Sequence, residues 1–496
     1  MTDRPNVLVI YADQMRYDCM GCSGNPDVRT PYLDRMAEEG VKFDSAFVSY
    51  PLCTPFRASF LTGKYAHATG VFSNHFPIDP DRQPTLAPIL TDAGYQTGYI
   101  GKWHLFGGPK PGFVPPGPHR LGFQHFVGYN RGHAYMNAVY YRDTDQPFRC
   151  RRYEPDFQTD HAIEHMASVL EAGNGPFFTY LCYGPPHYPM NMPGYLKRMY
   201  DPKKITLPRG TPDPAAQRTF VDEQVAYDYE GEFSLMEKSK FPGKRPGEVE
   251  TEDEIRQFTA EYYAMITNID HNVGILLNWL EGRGVLEDTI VVFLSDHGDM
   301  LGSHGRFCGW KRCAYRAASQ VPFLVRHPTR FGASRRVQSI VDIAVDTMPT
   351  LLDILGLEGP EGMQGTSYLP VLESDTPVRD AVTYQLMKQS GGTRGQRHPK
   401  PERGIRTRDW LYVRKQDRAV LLVDQTNDPL EQVNLVGDPA HAGIQLALDS
   451  RVRDHMAETG DDWDLEIPWP PPDFISHKDA DRLLEEDILP RAIPVP

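Results

Sequence analysis

A large α/β domain built on a mixed, mostly parallel sheet sandwiched by helices, followed by a smaller α+β domain, is the fold class predicted by three features of the sequence. The chain has 496 residues, more than one small core needs, so two unequal domains are expected. Continuous apolar runs of strand length recur between helical patterns, as in parallel strands buried on both faces. Beyond residue 356 the texture changes to short strands joined by polar turns, which sets the expected domains at 1–374 and 375–496. Hydrophobic residues make up 40% of the chain, enough for a large core, and 44 prolines with 42 glycines imply many ordered loops rather than disorder or coiled coil.

The elements follow in order. Asn6 to Tyr11 reads as a doubly buried strand that breaks at Ala12-Asp13-Gln14. Thr30 to Gly40 has an N-cap residue, a proline at the first helical position and a terminating glycine, the signs of a helix. A helix around 86–93 ends at Gly94, and the strand from Gln96 to Ile100 empties into Gly101-Lys102-Trp103-His104. Pro176 to Tyr183 is another buried strand and ends in Gly184-Pro185-Pro186-His187. A long amphipathic pattern over 251–282 precedes the strand Thr289 to Leu294, which ends in Ser295-Asp296-His297-Gly298. In open α/β sheets ligands bind outside the carboxyl ends of the strands, so these four polar sets are expected to share one crevice. The proline- and charge-rich stretch 189–250 reads as a surface excursion without a catalytic role. A helix over 346–356 and short strands at 410–413 and 419–423 complete the pattern.

Charge narrows the function. With 52 Lys+Arg against 66 Asp+Glu the net charge is −14, which argues against a general nucleic-acid or anionic-membrane binder. There is no membrane-length apolar run, and the N-terminus enters a strand without a signal-like segment, so a cytoplasmic enzyme is expected. Seven cysteines, an odd number in a large chain, do not read as a disulfide framework. Cys19 and Cys22 read as a loop or buried thiol pair, Cys308 and Cys313 as ordinary packing residues, and His161 with His165 as a solvated helix face.

The most informative segment is Leu52-Cys53-Thr54-Pro55-Phe56-Arg57, followed by Leu61-Thr62-Gly63-Lys64. It reads as a loop entering a helix, with Thr54 as cap and Pro55 at the first helical position. Cys53 then sits at the positive end of the helix dipole, where thiols are acidified and anions are welcome, and Arg57 shares its face. A capping cysteine with a surface arginine gives the same pattern. This segment resembles the signature of the formylglycine-dependent sulfatases of the alkaline phosphatase superfamily. Gly101 to His104, Ser295 to Gly298, and Asp424 with Asn427-Asp428-Pro429-Leu430-Glu431 resemble the same family in the same order, over residues 5 to about 436.

The resemblance implies an alkaline phosphatase-like fold and a mechanism. Cys53 is oxidised by a maturation enzyme to formylglycine, whose hydrate attacks sulfur through one hydroxyl; loss of the second hydroxyl's proton then expels sulfate. Asp13, Gln14, Asp296 and His297, with residue 53, match the positions that hold one divalent cation, calcium first and manganese or magnesium as alternatives. Gln14 and His297 depart from the commoner aspartate and asparagine and resemble the phosphonate monoester hydrolases. Arg57, Lys102 and Lys311 match the family's cationic positions, His104 the base and His187 the acid for the leaving alkoxide, the two histidine roles being exchangeable. Asn74 is a candidate donor to a sulfate oxygen.

For substrate, the expectation is a sulfated carbohydrate. Between Lys388 and Lys415 nine Lys/Arg face two acids, Glu402 and Asp409, so Arg394, Arg397 and Arg403 are read as a grip on a polyanionic sugar, with Arg149, Arg151 and Arg152 on the other wall. A solvated loop balancing nearby acids is the plain alternative. The competing functions are an aryl or alkyl sulfatase (choline sulfate, for example), a phosphonate or phosphate ester hydrolase on the same fold, and a non-catalytic glycan-binding relative.

Overall fold

The computed structural model describes residues 4–74, 76–81, 84–107, 111–211, 251–305, 308–387 and 401–463. Eight strands form the main sheet: β1 (Asn6–Asp13), β2 (Val41–Phe43), β3 (Gln96–Lys102), β4 (His125–Tyr129), β5 (Phe177–Pro186), β6 (Thr289–Ser295), β7 (Phe323–Arg326) and β8 (Arg335–Val337). Their order across the sheet is β8-β2-β7-β6-β1-β5-β3-β4. β1 lies at the centre, parallel to β5 and β6, while β7 runs antiparallel to both β2 and β6. The sheet is therefore mixed and mostly parallel, as the continuous apolar runs require.

Alternation along β1 feeds two cores. Val7, Val9 and Tyr11 point into one layer with helices α2 (Cys53–Thr62) and α5 (Ile343–Leu355). Leu8, Ile10 and Ala12 point into the other with α1 (Pro31–Glu38), α3 (Glu154–Ala172) and α4 (Glu252–Gly282). The α4 helix starts with a full capping box, Thr251 and Glu254 exchanging hydrogen bonds with each other's backbone. Helices thus cover both faces of the sheet.

The smaller C-terminal sheet is antiparallel, strands β9 (Ala381–Leu386), β10 (Glu402–Thr407), β11 (Trp410–Lys415) and β12 (Ala419–Asp424) lying in sequence order. One face carries Ile405, Tyr412 and Leu422 against Leu448, Val452 and Met456 of helix α6 (Ala442–Thr459). The other face presents Tyr384, Leu386, Leu411, Val413 and Val423 to Tyr50, Leu52, Phe72 and Tyr315 of the large domain. Packing of the small sheet therefore supports the segment that leads into Cys53.

Two expectations need correction. Helix α2 begins at Cys53, not after Thr54: Leu52 is the N-cap, in extended conformation. His165 is buried rather than solvated, its Nδ1 3.0 Å from Thr179 Oγ1 and its ring stacked on His125. All seven cysteines are free thiols. Among the described residues no helix is long and apolar enough to cross a membrane.

Candidate active site

The carboxyl ends of the central strands converge. Asp13 ends β1, Lys102 ends β3, His187 follows β5, and Asp296 with His297 follow β6. Cys53, the first residue of α2, enters this crevice from outside the sheet. Its Sγ lies 3.6 Å from Asp13 Oδ1, 3.3 Å from His297 Nε2 and 4.0 Å from Lys311 Nζ.

The start of α2 is capped from a distance. No side chain at its own N-cap accepts a hydrogen bond; instead Asn74 Oδ1 accepts from the Thr54 N–H at 3.1 Å. Asn74, expected as a sulfate donor, thus uses its carbonyl oxygen to hold the helix that presents Cys53. Gly63, in the left-handed conformation at φ 65°, closes the same helix.

Asp13 divides its two oxygens. Oδ2 accepts from Lys102 Nζ at 2.7 Å and Arg57 Nη2 at 3.3 Å, while Oδ1 faces Cys53 and His297. Burial opposes the charge on Asp13, but Lys102 and Arg57 outweigh it and hold the carboxyl well below the usual range. Arg57 also donates to Tyr99 Oη, the Lys102 carbonyl and Cys182 Sγ, and its guanidinium sits over the Tyr11 ring. The two cations therefore spend much of their hydrogen-bonding capacity on Asp13 and its surroundings.

His297 is fixed through its other nitrogen. Nδ1 lies 3.0 Å from the Gly298 carbonyl, which can only accept, so Nδ1 carries the proton and Nε2 faces Asp13, Cys53 and Asp296. Burial disfavours the imidazolium, yet the Asp296 carboxylate prevails and His297 is raised to about 9. Asp296 Oδ1 accepts from the backbone N–H groups of Gln14 and His297, each at 2.9 Å. Its Oδ2 is buried without a hydrogen-bond partner; His297 Nε2 is 3.2 Å away but not aligned to donate. Donor atoms of Asp13, Cys53, Asp296 and His297 all lie within 4.8 Å of one another. An orphaned carboxylate oxygen beside a second carboxylate, one imidazole nitrogen and one thiol sulfur fits a divalent cation.

On the opposite wall Lys311 Nζ lies 2.5 Å from Gln14 Oε1 and 2.7 Å from His187 Nε2. His187 Nδ1 lies 2.5 Å from the Tyr188 carbonyl, so Nδ1 carries the proton and Nε2 accepts from Lys311. Burial, then Lys311 and Lys102, hold His187 well below the ordinary histidine range. The sequence reading missed His133, which stacks face to face on His187 with ring centroids 3.8 Å apart and bonds Tyr135 Oη through Nδ1. It also missed Asp299, which accepts from Gln14 Nε2 at 2.6 Å. Asp299 is the second residue after His297, close enough to have raised it as a candidate. His104 sits at φ 58° and bonds the Asn74 carbonyl through Nε2 at 3.1 Å, leaving Nδ1 buried without a partner. Burial, Lys102 and Arg57 hold its pKa well below 6.5.

The expected sugar grip fares differently. Arg403 is buried, its guanidinium paired with Asp461 and stacked on Trp463. Asp461 lies later in the chain, beyond the 388–415 stretch whose local charge suggested the grip. Arg406 likewise pairs with Glu431 and Arg414 with Asp449. Arg394 and Arg397 lie outside the described residues, and Arg152 is spent on an exposed pair with Asp160.

The Sulfatase family model matches residues 5–357. The chain belongs to the sulfatase family. The model of the N-sulphoglucosamine sulphohydrolase C-terminal region matches residues 302–458 of this sulfatase. It is 31% identical to an ulvan-active sulfatase of Formosa agariphila, over 93% of this chain and 82% of that protein. It is 30% identical to an N-acetylglucosamine-6-O-sulfatase of Bacteroides thetaiotaomicron, over 90% and 85%. A structure in complex with its substrate D-glucosamine-2-N,6-O-disulfate superposes with a TM-score of 0.76, 27% identity and coverage of 93% and 100%. The phosphonate monoester hydrolase of Silicibacter pomeroyi gives 0.75, 26%, and 92% and 96%. The sulfatase is a hydrolase of sulfate esters with an alkaline phosphatase-like fold.

Proposed function

We propose that this sulfatase hydrolyses a sulfate ester of a carbohydrate, using formylglycine made from Cys53 and one divalent cation. The observation that carries the mechanism is the position of Cys53 Sγ, at the start of a helix and within 3.6 Å of both Asp13 Oδ1 and His297 Nε2. A hydrated formylglycine supplies two hydroxyls on one carbon, one to attack sulfur and one whose deprotonation expels sulfate. Asp13, Gln14, Asp296 and His297 would hold the cation, which supplies Lewis acidity for the nucleophile and a sulfate oxygen.

The chain's own groups divide the remaining work. The Lys311–His187 pair, hydrogen-bonded through Nζ and Nε2, holds the proton that the departing alkoxide takes. His104, kept neutral by burial and by Lys102 and Arg57, offers its unpaired Nδ1 as acceptor for the second hydroxyl's proton. Lys102 and Arg57 keep Asp13 ionised, so the site stays anionic where a cation is to sit.

Support for a sugar substrate comes from the two relatives named for ulvan and N-acetylglucosamine-6-sulfate and from the disulfated glucosamine complex. A second reading, phosphonate monoester hydrolysis, draws on the Asp-Gln and Asp-His pairs and the Silicibacter neighbour; the Lys102 and His104 pair, which resembles the sulfatase branch, favours sulfate. The test is to co-express the chain with a formylglycine-generating enzyme, read the Cys53 peptide by mass spectrometry, and compare sulfate release from 6-O-sulfated N-acetylglucosamine with turnover of a phenylphosphonate ester. The expected result is an aldehyde at residue 53, faster sulfate release, and none from Cys53→Ala. Full activity of Cys53→Ala, or faster phosphonate turnover, would overturn this reading.

A further inference from the structure

We infer that Asp299 is a positioning residue that decides which end of the Gln14 side chain faces the cation; the inference rests on the metal reading above. A glutamine amide has nearly the same shape at its oxygen and nitrogen ends, so its neighbours must select the orientation. Only the oxygen end can ligate a hard cation. A chain that places glutamine rather than a carboxylate at this position therefore needs a second group that rejects the wrong orientation.

Asp299 has the geometry for this. Its Oδ2 lies 2.6 Å from Gln14 Nε2; a carboxylate oxygen only accepts, so it holds the amide nitrogen away from the cation side. Gln14 Oε1 then faces Lys311 Nζ at 2.5 Å, and Lys311 Nζ is itself 4.0 Å from Cys53 Sγ. Asp299 cannot rotate freely, because its Oδ1 accepts from the backbone N–H groups of Leu301 at 2.9 Å and Gly309 at 2.7 Å. Gly309 lies two residues before Lys311, so one carboxylate anchors both a metal-ligand side chain and the loop that brings in the lysine. The backbone of Gln14 is pinned as well: its N–H donates to Asp296 Oδ1 and its carbonyl accepts from Tyr262 Oη. At φ 67° the residue occupies left-handed backbone space, so the side chain leaves a fixed base and the amide flip is its main remaining freedom.

The same geometry fixes what a substitution does. In Asp299→Asn the two backbone N–H groups retain the amide oxygen at the Oδ1 position and force Nδ2 toward Gln14. Gln14 then meets two donors, Asn Nδ2 and Lys311 Nζ, with a single amide oxygen to satisfy them, so its oxygen is drawn away from the cation. Gln14→Glu alone places two carboxylates against each other, whereas Gln14→Glu combined with Asp299→Asn restores one donor and one acceptor and leaves a carboxylate oxygen for the cation.

The experiment uses the full chain, stripped with a chelator and titrated calorimetrically with Ca2+ and, in a parallel arm, Mn2+. The wild type is expected to bind one cation, Asp299→Asn to bind about 10–100-fold more weakly, and the double variant to recover most of that affinity, with all variants retaining the wild-type circular dichroism. Unchanged affinity in Asp299→Asn, or a double variant no better than Asp299→Asn, would overturn the role of Asp299 and leave the metal reading intact. A wild type that binds neither ion would overturn the metal reading itself, and this inference with it.

Discussion

His187 and Lys311 share a hydrogen bond at 2.7 Å, and burial with the Lys311 charge keeps the imidazole neutral at ordinary pH. A neutral histidine is a poor acid by itself, so the proposed mechanism assigns the leaving-group proton to the hydrogen-bonded pair rather than to His187 alone. The contribution of such an acid depends on how badly the leaving group needs a proton. A sugar alkoxide needs it and a nitrophenolate hardly does. His187→Ala is therefore expected to lower kcat on a sugar sulfate by about 10²–10⁴-fold and to leave p-nitrophenyl sulfate turnover much closer to wild type. Equal losses on both substrates would assign His187 to sulfate binding instead. His133 lies parallel to this ring at 3.8 Å and restrains its tilt, so the His187 ring is held by its stack as well as by hydrogen bonds at both nitrogens.

Helix α3 rests on the sheet because β3 carries a glycine where the helix brings a ring. A Cβ built on Gly98 would stand 2.5 Å from His165 Cε1 and 2.6 Å from Nδ1, and His165 also bonds Thr179 on the neighbouring strand β5. Gly98→Ala is expected to destabilise the protein by about 1–3 kcal/mol through overpacking, read by chemical denaturation, with partial recovery when His165→Ala is added. No change in the single variant would mean that α3 moves off the sheet at little cost. This contact also marks the limit of periodicity: the 161/165 spacing fixes which side of α3 the histidines share, but glycine on another element decides that one of them is buried. The strand ends were legible for the opposite reason, since the apolar run of a doubly buried strand stops abruptly where Asp13, Lys102, His187 and Asp296 begin. The start of α2 was misread because its cap comes from Asn74, 20 positions beyond Thr54, and Asp299 was missed because its partner lies 285 residues away.

At the scale of the whole molecule, an acidic chain of net charge −14 concentrates basic residues near the C-terminal sheet and then consumes many of them in its own folding. Arg403, Arg406 and Arg414 find Asp461, Glu431 and Asp449, acids that follow the basic stretch in sequence and return to it only through the turn after β12 and helix α6. Asp461 also accepts from Gln385 Nε2, whose other contact is His67, just beyond helix α2. The Arg403–Asp461 pair therefore ties the segment after α6 to β10, and Gln385 connects Asp461 in turn to His67. Breaking a buried pair leaves the partner charge uncompensated, at a cost of about 3–5 kcal/mol. Arg403→Met is expected to lower the thermal midpoint while leaving KM for a sulfated oligosaccharide at the wild-type value, and Arg403→Met with Asp461→Leu to recover much of the lost stability because no charge is then stranded. A rise in KM at unchanged thermal midpoint would return Arg403 to the substrate, against its burial and its pairing.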